Sequence, residues 1–237
     1  DPINGDQIRQ KEKRTTFGLN SEFEKRTSIK NTPFNYQLGI GLRQDKVDDI
    51  ELSHTANRVT TLQNIMLGDV NETNLSGYAN TEFKFDKLVL NAGLRYDYFK
   101  FDYYDKLSPT YSNEAINKGI LSPKLNFLYK HNDKLQLFLK SGKGFHSNDT
   151  RVNVANGGRK TLPASYGSDL GFVWKPTSKL IFNSAVWYLF LEQEFVYVGD
   201  AGIVEPSGKT ARRGIDLGLR YQFTDWLFLN ADYTYTD

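Results

Sequence analysis

The sequence predicts an all-β fold, an antiparallel transmembrane β-barrel present in part, and three observations carry that prediction. Apolar and polar residues alternate strictly along many segments, which gives a strand one greasy face and one wet face. Most of these segments run about 11 to 15 residues, whereas strands of soluble domains run about 5 or 6 and a tilted strand needs roughly 9 to 11 to cross a bilayer. Tight and long connections also alternate along the chain, placing short turns on one rim and long loops on the other.

About ten strands follow in order, at 14–24, 34–44, 73–85, 87–101, 119–130, 134–145, 165–175, 179–192, 212–223 and 225–236. The segment from Leu88 to Tyr98 is the clearest: Leu88, Leu90, Ala92, Leu94, Tyr96 and Tyr98 share one face, and Asn91, Gly93, Arg95 and Asp97 the other. Ile215, Leu217, Leu219, Tyr221 and Phe223 alternate with Gly214, Asp216, Gly218, Arg220 and Gln222 in the same way. Tight connections are expected at Asp86-Lys87, His131 to Lys134, Pro176 to Ser178 and Thr224-Asp225. Long ones are expected at Gln44 to Glu72, Asp102 to Lys118, His146 to Ala164 and Gln193 to Ala211. Trp174, Phe223 and Trp226 flank the tight turns, while Tyr98, Tyr188, Phe190, Tyr233 and Tyr235 approach the other rim, as aromatic girdles require. With tight turns at the periplasmic side, both outermost strands leave their free ends at the extracellular rim.

Composition narrows the function classes. The chain has 237 residues, 14 Tyr and 16 Phe, with a mean hydropathy of -0.55, an aromatic load that suits β-structure. No window of 18 or more residues lacks charges, which excludes a transmembrane helix, and the chain opens at Asp1-Pro2 without the pattern of a signal peptide. Thirty Lys and Arg against 28 Asp and Glu leave a net charge of +2, too balanced for a nucleic-acid footprint. The absence of Cys removes disulfides, thiolate metal sites and Cys nucleophiles.

Catalytic and cofactor patterns are correspondingly scarce. His54, His131 and His146 stand far apart, so no zinc site is expected, and Gly39-Ile40-Gly41 and Gly142-Lys143-Gly144 lack the third glycine and the helix of a nucleotide-binding loop. Asp45, Asp48, Asp49 and Glu51 lack EF-hand spacing and read as a solvated loop. Ser147 beside His146 puts a nucleophile and a base on opposite faces of an extended chain, so no enzyme, cofactor or metal is expected.

Two loops carry recognition chemistry. His146, Asn148, Asp149 and Arg151 follow one long strand, and Asp200 and Glu205 lie in the next long loop, together offering amide, carboxylate and guanidinium groups for a polar solute. A competing reading has these loops fold back on the barrel mouth, since most loop side chains bond to backbone or water. Arg95, Asp97, Lys124, Lys140, Asp169, Asp216 and Arg220 are expected to face the lumen, with Arg95 pairing with Asp97 and Asp216 with Arg220.

The stretches Asn91-Ala92-Gly93-Leu94-Arg95-Tyr96-Asp97, Leu121-Ser122-Pro123-Lys124-Leu125, Lys143-Gly144-Phe145-His146-Ser147-Asn148-Asp149-Thr150-Arg151 and Val198-Gly199-Asp200-Ala201-Gly202 together resemble the barrel of TonB-dependent outer-membrane receptors. The likeness runs from about residue 34 to 237. Segments like the first two are widespread in that family, and the order of the four is more specific than any one. The resemblance implies a barrel of about 22 strands closed by an N-terminal plug, located in the outer membrane of a Gram-negative bacterium. It also implies energised uptake of a scarce small molecule or metal chelate through the TonB complex. The departures are that no plug, no TonB-contacting box near residue 1 and no closing strand with a terminal Phe are read in residues 1–237, which are therefore expected to be one part of the barrel domain of a longer protein. A passive porin or adhesion barrel shares the strands and is the alternative.

Overall fold

The computed structural model describes residues 7–108, 110, 113–147, 150–155, 161–198 and 203–237, with the side chains of residues 113, 152, 155, 195–198 and 203–207 outside the description. Ten strands form one antiparallel sheet in which each pairs only with its sequence neighbours. They are β1 (Gln7–Ile29), β2 (Thr32–Ala56), β3 (Thr60–Phe85), β4 (Leu88–Asp105), β5 (Asn113–Lys130), β6 (Leu135–Phe145), β7 (Ala164–Thr177), β8 (Leu180–Val198), β9 (Ile203–Gln222) and β10 (Phe228–Thr236). One short helix, α1 (Thr150–Ala155), lies between β6 and β7.

The two faces of this sheet differ as the alternation requires. One face carries Leu94 at 47% exposure and Tyr96 at 49%, with Phe17, Leu19, Phe23, Leu75, Leu121, Leu125, Leu170, Val186 and Ile215 also bare. So much apolar surface suits hydrocarbon and not water. The opposite face, called inner below, receives α1 and is polar along most of its height. Its apolar part is a small cluster of Phe99, Phe101, Ile120, Leu162 and Ala164, with Phe145 against it. Phe101 is fully buried.

Strand reach differs from expectation. The segment 44–72, expected to be a long loop, continues β2 and β3 into a paired hairpin closed at Asn57 and Arg58, both of which take positive φ. The connections 102–118 and 193–211 likewise shorten, to 106–112 and 199–202. Past the span the strands have no lipid side, and Ser53 and Thr55 are buried beside Val47, Leu52 and Ala56, so hydrogen bonding continues while the strict apolar alternation that reveals it stops. A register shift between Val47 and Ile50, with Asp49 at φ 52°, further breaks the two-residue period. The tight turns at one rim stand where expected, including His131 to Lys134 between β5 and β6.

Cross-strand packing uses glycine at points of close approach. A Cβ on Gly39 would overlap the Tyr78 ring, and one on Gly119 would meet the Tyr96 ring. Each glycine therefore lets a neighbouring strand's tyrosine lie flat across the sheet.

Candidate functional site

The inner face of β1–β5 carries a ladder of polar side chains whose positions follow from the two-residue period. Near its foot Asn35 donates to Glu82 at 3.4 Å and Asn126 to Asn91 at 3.3 Å. Above these, Tyr78 on β3 reaches over Gly39 on β2 and donates its hydroxyl to Glu22 on β1 at 2.6 Å. Arg95 and Asp97 form a two-point ion pair at 2.7 Å, with Asp97 only 1% exposed and also accepting from Asn74 at 3.4 Å. Higher still, Arg43 grips Asp45 at 2.6 and 3.0 Å, and Thr16 donates to the same carboxylate at 2.8 Å. The Arg-x-Asp spacing on β2 and β4 is the same. Residues two apart on a strand share a face, so a guanidinium can fold along the strand onto its own carboxylate.

A groove of about 490 Å³ opens among Arg14, Arg43, Asp45, Glu72, Arg95 and Asp97, with Phe99, Phe145 and Thr150 at its edge. The loop after β6 closes onto that edge. Thr150 donates to Glu72 on β3 at 3.0 Å, Val154 is 5% exposed, and Arg151 contacts the Met66 sulfur on β3. Phe99 stacks on Phe101 and meets Phe145 edge-on, with centroids 5.5 and 5.8 Å apart. Leu162 and Ala164, at the end of the connection that carries α1, pack into the same apolar cluster.

The rim residues expected to bind a solute divide. His146 is exposed, Arg151 is half-buried and directed to β3, and Glu205 lies in β9 with its side chain outside the description. Asn148, Asp149 and Asp200 lie outside the described residues. Among the inner charges, Arg95 does bond Asp97, but within one strand and not between neighbours. Lys140 lies over the Phe138 ring at 4.7 Å, and the ring takes the place of its register partner Asp169. Asp216 keeps a buried oxygen without a hydrogen-bond partner. Arg220, four residues along, is about 13 Å away at the rise of a strand, so the expected pair with Asp216 does not form. Glu22, Glu72, Asn74, Tyr78 and Arg43 were not singled out from the sequence, and Asp45, expected in a solvated loop, instead lies in β2 and bonds Arg43 and Thr16. The signal for the loop's seat was present, because Phe99 and Phe101 interrupt the polar face of β4.

Outside the bilayer span, Lys106 donates to Asp49 and Asp69 at 2.6 Å each, tying β2, β3 and the β4 end together. The hydrogen bond to Asp49, then that to Asp69, holds its ammonium above the usual lysine range. At the opposite rim, the hydrogen bond from Lys130 holds the Asp133 carboxyl below its ordinary value.

A sheet with a bare apolar face, a hydrogen-bonded polar face and one loop folded inward has counterparts among known proteins. The family described as TonB dependent receptor-like, beta-barrel, matches residues 2–237. The chain belongs to this family. An uncharacterised TonB-dependent receptor of Haemophilus influenzae is 28% identical over 168 residues, covering 66% of this chain and 46% of that receptor. Among solved structures, the ferric citrate transporter FecA in its unliganded form superposes with a TM-score of 0.79 at 13% identity, over 98% of this chain and 37% of FecA. The siderophore receptor PiuA from Acinetobacter baumannii gives 0.73 at 15% identity, over 95% of this chain and 38% of PiuA. At such identities the likeness speaks to the fold. The ten strands thus span less than half the length of the TonB-dependent receptors they match.

Proposed function

We propose that the protein to which this chain belongs is an outer-membrane receptor of a Gram-negative bacterium that takes up a scarce nutrient, a small molecule or metal chelate, with energy delivered through TonB. The chain supplies part of the barrel domain in this reading, with the plug and closing strands elsewhere in the longer protein. The observation that carries the reading is the succession of hydrogen-bonded polar groups up the inner face, Tyr78 with Glu22, Arg95 with Asp97, Arg43 with Asp45 and Thr150 with Glu72, behind an apolar outer face. A lipid-embedded wall of this kind needs its polar lining only if the interior holds water, polar protein or a polar solute. FecA and PiuA, whose names state ferric citrate and siderophores, support a metal chelate as the first class to test. The rim groups His146, Asn148, Asp149, Arg151, Asp200 and Glu205 meet the solute first. Each charge-assisted bond there contributes about 1.5–3 kcal/mol.

Growth on a single chelated iron source, in cells expressing the full-length protein with and without functional TonB, tests this. Uptake that requires both is the expected result, and uptake indifferent to TonB overturns the reading in favour of a passive barrel. Melting temperature and uptake measured together for Asp149→Asn and Arg151→Gln test the rim. A loss of uptake at unchanged melting temperature supports the rim site, and a lowered melting temperature with intact uptake removes it.

A further inference from the structure

The lipid-facing side of β1–β4 carries a groove of about 470 Å³ around Gly77, walled by Leu19, Ile40, Leu42, Leu75, Tyr96 and Tyr98. Gly77 is the register partner of Ile40 on β2 and of Tyr96 on β4, whose side chains are 67% and 49% exposed. At Gly39 and Gly119 a Cβ would strike a tyrosine ring, but at Gly77 it would meet only the Gly39 carbonyl oxygen, at 3.9 Å. Packing within the wall therefore does not require glycine at this position. Glycine weakens a strand interior and marks places where another group approaches closely, and at Gly77 the open approach is from the lipid side. The rows just above turn polar and basic. Gln44, Thr73 and Lys100 share the first row, Lys46, Asn71 and Asp102 the second, and Lys13 and Asp48 the next. Lys46 lies 3.1 Å from Asp48 and Lys100 3.0 Å from Asp102, with the lysine side chains 64% and 51% exposed. Pairs so open to solvent hold weakly, and Lys13 has no ion-pair partner among the described residues. Three ammonium groups thus stand with two carboxylates just past Tyr98, at the level of lipid head groups.

We propose that this groove holds one molecule of a phosphorylated glycolipid of the outer leaflet, lipid A, with an acyl chain over Gly77 and a phosphate between Lys46 and Lys100. The proposal rests on the outer-membrane reading above and adds a lipid site to it. β2 and β4 flank β3, so the Cα atoms of the two lysines stand about 12 Å apart, a gap that two lysine stems and one phosphate close. The Thr73 hydroxyl lies between them on β3 and offers a further donor. The apolar trough takes the chain, and the excess of positive charge selects a phosphate-bearing head group over a neutral one.

The experiment is native mass spectrometry of the purified full-length protein in detergent, titrated separately with bisphosphorylated lipid A, dephosphorylated lipid A and phosphatidylglycerol. Wild type is expected to hold bisphosphorylated lipid A at least tenfold more tightly than either of the others. Gly77→Leu, which fills the groove, and the double variant Lys46→Gln with Lys100→Gln are each expected to lose that preference. Ala92→Leu, on the same face of β4 nearer the tight turns, is expected to keep it. Dephosphorylated lipid A should bind wild type and the double variant alike, because the phosphate is what the lysines hold. Melting temperature without lipid is read for every variant, and Gly77→Ala, whose methyl has open space, provides a second, milder filling of the groove. Equal affinity for the three lipids overturns the site, as does a preference unchanged in folded Gly77→Leu or in the double variant. A dimer that disappears in Gly77→Leu also overturns it and assigns the groove to a second copy of the chain. None of these side chains faces the lumen, so TonB-dependent uptake that persists alongside a failed lipid site leaves the transport reading standing.

Discussion

Leu94 and Asn91 lie three residues apart on β4 and face opposite media, so one substitution at each reads the environment directly. Arginine at Leu94, near the middle of the span, is expected to cost about 2–4 kcal/mol of folding stability into lipid vesicles, as is Leu217→Arg on β9, while Asn91→Arg costs much less. Equal costs at the two faces would contradict the assignment. At Gly39, alanine would drive the added methyl into the Tyr78 ring and break its bond to Glu22. Overpacking of this kind costs about 1–3 kcal/mol, and Gly39→Ala with Tyr78→Phe should recover little if the ring itself is the obstacle. Denaturation midpoints in detergent check both variants. At this scale the facing of Arg95 and Asp97 was legible in the sequence from alternation alone. Their pairing was expected from opposite charge, but its two-point geometry along one strand and the reach of Tyr78 across β2 needed coordinates, because side-chain direction within a face is not encoded in a two-residue period.

The legibility of an element depends on the solvent around it. Within the bilayer each strand has a lipid side, and the alternation this imposes gave all ten strands, with the tight turns between them. Past the bilayer, β2 and β3 run on without a lipid side, burying polar Ser53 and Thr55 beside Leu52 and Ala56, and the segment 44–72 therefore reads as loop. Lys106 shows what holds that extension: three strands converge on one ammonium. Its raised pKa means the stabilisation is fully present below the ordinary lysine value and is lost as pH rises through the higher folded value. Amide exchange at the hairpin of β2 and β3 should therefore be slower than in Lys106→Met through neutral pH, and the difference should vanish only under strongly alkaline conditions, where the ammonium loses its proton. Exposed pairs contribute about 0.2–1 kcal/mol, so a Lys106→Met effect several times larger would point to another role. The loop carrying α1 is held by Thr150 on Glu72 and by the Phe99 and Phe101 seat. Thr150→Val should release it by about 1.5–3 kcal/mol, the range for a bond to a charged acceptor. Protease sensitivity confined to residues 146–163 checks that outcome, and unchanged sensitivity would place the anchor elsewhere.

For the whole molecule, the order of strands and the partition of their faces make one statement: this is a wall, greasy outside and polar inside, with short turns at one rim. A tag between residues 146 and 164 should be reachable from outside intact cells, and one at 131–134 should not. The proposed rim site is the least legible part of the sequence, because the placement of long-loop residues is set by the fold of the loops and not by a repeating period. The most direct measurement uses the absence of cysteine from this sequence. Single cysteines at each position from Leu88 to Tyr98, spin-labelled in the full-length protein in native outer membrane, report access to oxygen and to a water-soluble relaxant. The account predicts strict alternation, with Leu88, Leu90, Ala92, Leu94, Tyr96 and Tyr98 open to oxygen and the intervening positions shielded from it. A helical period, uniform water access, or the opposite phase would contradict it.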